Sequence, residues 1–111
     1  MLIVIFVITG LLFIGLSIPM IRGKVLPNKW YGFRVKETLE NPDIWYPANA
    51  YAGKLLCATG IIMVVAAVIC AFIPGITDDA YALTVTVIML GSLFITLFFS
   101  MRYAKSLAHE V

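Results

Sequence analysis

Charge is the scarcest commodity in this sequence. Of its 111 residues only 13% are Asp, Glu, Lys or Arg, against 62% hydrophobic, where soluble domains carry about 25% and 45–50%. The mean hydropathy is +1.02. A water-soluble core of this size has no room for so much apolar surface, which leaves lipid as the solvent. No Asp, Glu, Lys, Arg or His occurs in residues 1–21, 55–77 or 80–101. Cysteine is nearly absent, and Cys57 and Cys70 both fall in the second of these runs. Thirteen positions place them roughly 220° apart around a helix, so they cannot pair within it, and neither a disulfide framework nor a CxxC metal site is present. A single histidine, His109, stands third from the C-terminus, where a solvated tail residue is expected rather than a catalytic base.

These absences exclude much. No serine is paired with a base, no Cys/His cluster exists and no carboxylate pair lies in an apolar run; an enzyme is not expected, nor a cofactor or metal. Glu37, Glu40 and Asp43 recur every third residue, but Pro42 interrupts any continuous helix there, so a solvated acidic edge is expected rather than a cation site. An ion-coupled transporter normally keeps an ionisable residue deep in its spans. The one candidate, Lys54, sits near a helix end, from which it can snorkel to the interface. The formal charge of +2 gives no argument for nucleic acid.

Each uncharged run is long enough to cross a hydrocarbon core of about 30 Å as a helix, and its apolar residues do not alternate as a barrel strand's would. The fold expected is an all-α membrane protein: three transmembrane helices, about 2–21, 48–73 and 80–101, in one domain of residues 1–111, with a structured loop between the first two. The first span lacks a preceding basic residue and a small-x-small site, and reads as an uncleaved anchor. Lys and Arg lie in two places only: Arg22, Lys24, Lys29, Arg34, Lys36 and Lys54 around the first connection, and Arg102 and Lys105 after the third span. The second connection carries Asp78 and Asp79 and no basic residue. The positive-inside rule then places the first loop and the C-terminus in the cytoplasm and the N-terminus outside.

Local signals refine this outline. Asn41-Pro42-Asp43 is a helix start: a capping side chain, a proline suited to the first position and an acid at the positive dipole end. Pro47 follows closely, so a short turn over 42–46, a kink and then the membrane helix are expected. Trp45, Tyr46 and Tyr51 fit an aromatic belt at headgroup level, and Trp30, Tyr31 and Phe33 fit the same interface. Pro74-Gly75 turns the chain after the second span. Thr84, Ser92, Thr96 and Ser100 form a hydroxyl stripe on the third span, and Gly53, Gly60 and Ala67 a small-residue stripe on the second; both suit close helix contacts in lipid.

The first connection holds the chemistry. Pro27-Asn28 and Tyr31-Gly32 suit tight turns, with Gly32 free to take φ > 0. Thr38 can cap a local turn, and Asn49 can donate and accept across a helix contact. Arg34, beside an aromatic residue, has the planar fork for a lipid phosphate, an acidic group of a partner, or Glu37. The ordered set Pro27-Asn28, Tyr31-Gly32-Phe33-Arg34, Thr38, Trp45, Asn49 and Gly53 resembles the signature of the SdpI family. That family is named for an immunity protein that protects a bacterium from a secreted toxic peptide made during delayed sporulation and is linked to a membrane-held repressor. The resemblance implies a bacterial cytoplasmic-membrane protein of immunity or signalling type, with Asn28, Gly32, Arg34, Thr38, Trp45 and Asn49 as the candidate binding set. It implies a peptide toxin or a cytoplasmic regulator as partner; membrane lipids are expected from the apolar spans and the interfacial residues, and a homo-oligomer because three helices bury little of their own surface. This chain holds the three-helix region around the motif and not the founding type's additional N-terminal helices. A small accessory subunit of a larger membrane complex and an oligomeric small-molecule transporter are the alternative readings.

Overall fold

A computed structural model describes residues 2–28 and 31–110. Every regular element among them is helical: α1 (Leu2–Ile21), α2 (Lys36–Glu40), α3 (Pro42–Ala71) and α4 (Asp78–Glu110). α1, α3 and α4 are the three helices long and apolar enough to cross a membrane, as the uncharged runs require. α3 is the middle member. α1 packs along one side of it and α4 along another, and α1 and α4 scarcely meet.

Glycine sets the α1–α3 contact. A Cβ on Gly60 would stand 2.6 Å from the Gly10 carbonyl oxygen, and one on Gly53 would stand 3.0 Å from the Ser17 carbonyl. The two backbones therefore touch, which is how helices gain van der Waals contact in lipid, where burial offers no drive. The α3–α4 contact uses the hydroxyl stripe. Thr59 and Thr96 hydroxyls pair at 3.1 Å, and Ser100 is buried. Thr84, at the far end of the stripe, is exposed and belongs to no such contact.

α3 begins where the capping signal predicts. The Asn41 side chain accepts from the Asp43 N–H at 2.9 Å, with Pro42 next to it at the helix start. The expected turn before Ala48 is corrected: α3 starts at Pro42 and runs through Pro47 without interruption. Pro47 is exposed in the second turn, and it removes the donor that the Asp43 carbonyl would have used. α3 closes at Ala71, with Phe72 N–H on the Ile69 carbonyl and Gly75 at φ +75° turning the chain. Thr77 caps α4 by accepting from Ala80 N–H at 3.1 Å. Near this turn Tyr81 donates to the Ala67 carbonyl at 2.8 Å and meets Phe6 edge-on at 5.9 Å, so that all three long helices meet there.

Helix lengths locate the membrane. α1, at 20 residues, spans about 30 Å and matches a hydrocarbon core. α3 and α4, at 30 and 33 residues, run about 45 and 50 Å, so each overshoots. The surplus lies at the end where α1 stops, since Met20 and Ile21 pack on Gly53. The residues of α3 before Gly53 and the last turns of α4 therefore reach beyond the end of α1, and the loop is built on them.

Candidate functional site

The loop is a compact cap, and it starts with the exit from α1. Gly23 at φ +68° lets its own N–H reach the Met20 carbonyl (3.3 Å) and the Lys24 N–H reach back to Pro19 (2.9 Å), a Schellman ending that satisfies the last carbonyls. Val25 is then buried, and its carbonyl accepts from Trp45 Nε1 at 2.8 Å. Asn28 closes the next turn: Oδ1 accepts from Tyr31 N–H at 2.7 Å and Nδ2 donates to the Leu26 carbonyl at 2.7 Å. The Tyr31 hydroxyl donates to the Leu16 carbonyl on α1. Its pKa lies above the ordinary tyrosine value because burial disfavours the phenolate.

Gly32 is where the cap is tightest. Its φ of +107° is a glycine conformation, and a Cβ there would fall 2.7 Å from Asn49 Oδ1 and 3.3 Å from the Trp45 ring. The next residue is held by both its backbone groups. Phe33 N–H donates to Asn49 Oδ1 at 2.7 Å, and its carbonyl accepts from Asn49 Nδ2 (3.3 Å) and from the Thr38 hydroxyl (3.0 Å). Asn49 Nδ2 also donates to the Trp45 carbonyl at 2.9 Å. The Thr38 oxygen accepts in turn from Val35 N–H at 2.9 Å and shares its single proton between the Phe33 and Val35 carbonyls. Trp45, Thr38 and Asn49 are 0%, 1% and 2% exposed. At that burial an unmet polar group costs about 1–3 kcal/mol, and every one in this cluster is met.

The cap also grips α4. Ile44, Ala48 and Ala104 form a buried group against which Phe33, Val35 and Leu107 pack. The structure thus brings Gly32, Thr38, Trp45 and Asn49 into one hydrogen-bonded cluster and sets Asn28 at its entrance. Arg34 is different. It lies between two inward-facing residues, Phe33 and Val35, and its own side chain is exposed.

Two expectations for the aromatic residues are corrected. Trp45 is no belt residue, since its indole is enclosed between the Gly32 turn and the α1 exit. Tyr31 and Phe33 pack inward against the Met20–Trp45–Ala52 cluster rather than lying out along the interface. Trp30, expected beside them, lies outside the described residues. Tyr51 stacks on Tyr103 at 4.4 Å and 17°. Sequence reasoning missed the Val25 carbonyl, the Tyr31 hydroxyl and the Ala104–Leu107 contact. The last had a signal: Ala104 extends the stripe of Thr96 and Ser100 by one further step of four. Among the described residues no group of three His, Cys, Asp or Glu is placed to hold a metal, and Glu40 and Asp43 form an exposed edge.

The match to known proteins coincides with this cap and the helices that carry it. The family model described as the SdpI/YfhL protein family matches residues 24–104, from the exit of α1 to the α4 residue buried against the cap. No match was found among curated proteins or among solved structures. On the family match, the chain belongs to the SdpI/YfhL protein family.

Proposed function

We propose that this SdpI/YfhL-family protein is a non-enzymatic immunity or signalling protein of the bacterial cytoplasmic membrane, working through the side chain that its cap displays outward. One observation carries this reading. Of the six motif residues, Asn28, Gly32, Thr38, Trp45 and Asn49 spend their polar groups or their backbone freedom on holding the loop, while Arg34 is exposed beside them. A mount of this rigidity is more than a tether between two helices needs. It fixes the backbone on both sides of a planar, always charged fork suited to carboxylate or phosphate, at the level where lipid headgroups, an amphipathic peptide or a cytoplasmic regulator would meet it.

Protection of cells challenged with a secreted toxic peptide of the kind the family is named for tests this. Arg34→Lys keeps the charge and loses the fork, and it is expected to reduce protection at equal membrane levels; Lys36→Ala is expected to leave it unchanged. If Arg34→Lys protects as well as the parent protein, charge alone suffices there, and an accessory subunit becomes the better description of the protein.

A further inference from the structure

α1 and α4 diverge from their meeting point at Phe6 and Tyr81 toward the cap, and α3 forms the floor between them. The opening is an apolar cleft of about 280 Å³ lined by Leu16 and Met20 of α1, Ala52 and Leu56 of α3, Thr96 of α4, and the Tyr31–Phe33 turn that closes its cap end. We propose that this cleft is a binding site for one acyl chain of an anionic phospholipid, with the headgroup held at the basic α1 exit.

Three observations point to this occupant. The first is polarity. The cleft has two side-chain hydroxyls in its lining, and both are engaged within the protein: Thr96 with Thr59, and Tyr31 with the Leu16 carbonyl. A polar ligand would find only the capacity that these two bonds leave over, whereas a hydrocarbon chain needs none. The volume is about twice that of the ~150 Å³ apolar cavity that accepts benzene, enough for a stretch of roughly ten carbons. The second is depth. Gly53 packs on the last residues of α1, so Ala52 and Met20 lie at the edge of the hydrocarbon, where a lipid chain leaves its glycerol. The third is charge. Residues 22–36 contain Arg22, Lys24, Lys29, Arg34 and Lys36 and no acid, and Arg22 and Lys24 are exposed just beyond Met20. The acids at this end of the molecule lie elsewhere: Glu37 and Glu40 on α2, Asp43 in the first turn of α3 and Glu110 at the end of α4. Such a basic segment at the membrane surface attracts anionic headgroups.

The full-length protein in detergent, titrated with phosphatidylglycerol or phosphatidylcholine of identical chains, gives the test through lipid retained in native mass spectrometry and through the thermal midpoint. The parent protein is expected to retain one phosphatidylglycerol and to be stabilised more by it than by phosphatidylcholine. Leu56→Trp, which fills the cleft, is expected to abolish the retention. Leu16→Trp does the same from the α1 wall, should the first variant fail to fold. Ile61→Trp, on the separate apolar groove formed with Val65 and Ile88, is expected to leave it intact. Arg22→Gln with Lys24→Gln is expected to cut the preference between the two lipids by roughly tenfold while the chain still binds. Equal retention of the two lipids by the parent protein, or a Leu56→Trp protein that still selects phosphatidylglycerol, would mean ordinary annular contact and overturn the proposal. Loss of retention in the Ile61→Trp control would do the same.

Discussion

At the scale of single residues, the cap depends on a few groups with no substitute. Gly32→Ala meets both a disfavoured φ and a 2.7 Å approach to Asn49 Oδ1, so the variant is expected to lose about 1–3 kcal/mol, read as a lower thermal midpoint in detergent. Trp45→Phe keeps most of the ring but removes the donor to the Val25 carbonyl; a cost of about 1–3 kcal/mol is expected, with the apolar cluster otherwise intact. Tyr31 adds a pH dependence. Its raised pKa means the folded protein favours the neutral phenol, so its contribution is complete below the ordinary tyrosine pKa and is lost as pH rises through the folded value. Tyr31→Phe should flatten that alkaline decline in a stability–pH series. The sequence revealed Gly32 and Thr38 with their roles nearly complete, because turn chemistry and capping are local; Asn49, expected across a helix contact, instead clamps the Phe33 backbone sixteen positions upstream. Trp45 was misplaced because a tryptophan near a membrane boundary fits a lipid-facing belt and a buried core equally well. What decides is the Val25 carbonyl twenty positions upstream, and nothing in the sequence marks a backbone acceptor.

At the scale of elements, the small-residue stripe of α3 and the hydroxyl stripe of α4 divide the work, and they respond to mutation differently. The Gly10–Gly60 crossing is backbone against backbone. Gly60→Ala is therefore expected to lower the thermal midpoint, whereas Gly15→Ala, with nothing within 4 Å, should be neutral or gain about 0.5–1 kcal/mol from helix propensity. On α4 the hydroxyls matter less than their size. Ser100 Oγ is buried without a hydrogen-bond partner, so Ser100→Ala is expected to be neutral or mildly stabilising and Ser100→Leu disruptive. Thr96→Val breaks only the pair with Thr59, worth about 0.6 kcal/mol in a membrane bundle. Helix existence was fully legible here, because uncharged runs this long have few other fates. Helix ends were less so. A proline is costly in a helix interior, which is why Pro47 reads as a break; in this exposed second turn the Asp43 carbonyl that it leaves without a donor can meet water instead. The extension of α4 beyond Met101 escaped notice because charged residues ended the apolar run, although they suit a helix that continues into water against the cap.

At the scale of the whole molecule, the cap converts a sequence rule into a geometric constraint. Ile44 and Ala48 at the start of α3 share a buried group with Ala104 near the end of α4, so the loop and the C-terminal end stand on one side of the membrane whichever side that is. The described basic residues gather at that end. Arg22, Lys24, Arg34, Lys36, Arg102 and Lys105 flank or build the cap, and Lys54, the residue after Gly53, is exposed, close enough to the α1 exit for its ammonium to snorkel outward. At the opposite end Asp78 and Asp79 open α4 and no Lys or Arg accompanies them. Insertion that keeps Lys and Arg in the cytoplasm is expected to set the cap inside and the N-terminus outside. The prediction is tested by replacing Cys57 and Cys70 with Ala, so that no native thiol reports, and introducing Asp78→Cys or Lys105→Cys singly. A membrane-impermeant maleimide added to intact cells is expected to label Asp78→Cys at once and Lys105→Cys only after the membrane is opened. Because the cap binds the loop to α4, an inverted result would carry Arg34 to the outer surface along with Lys105. It would remove a cytoplasmic regulator from the candidates while leaving a secreted peptide among them, so the same labelling experiment also narrows what Arg34 can meet.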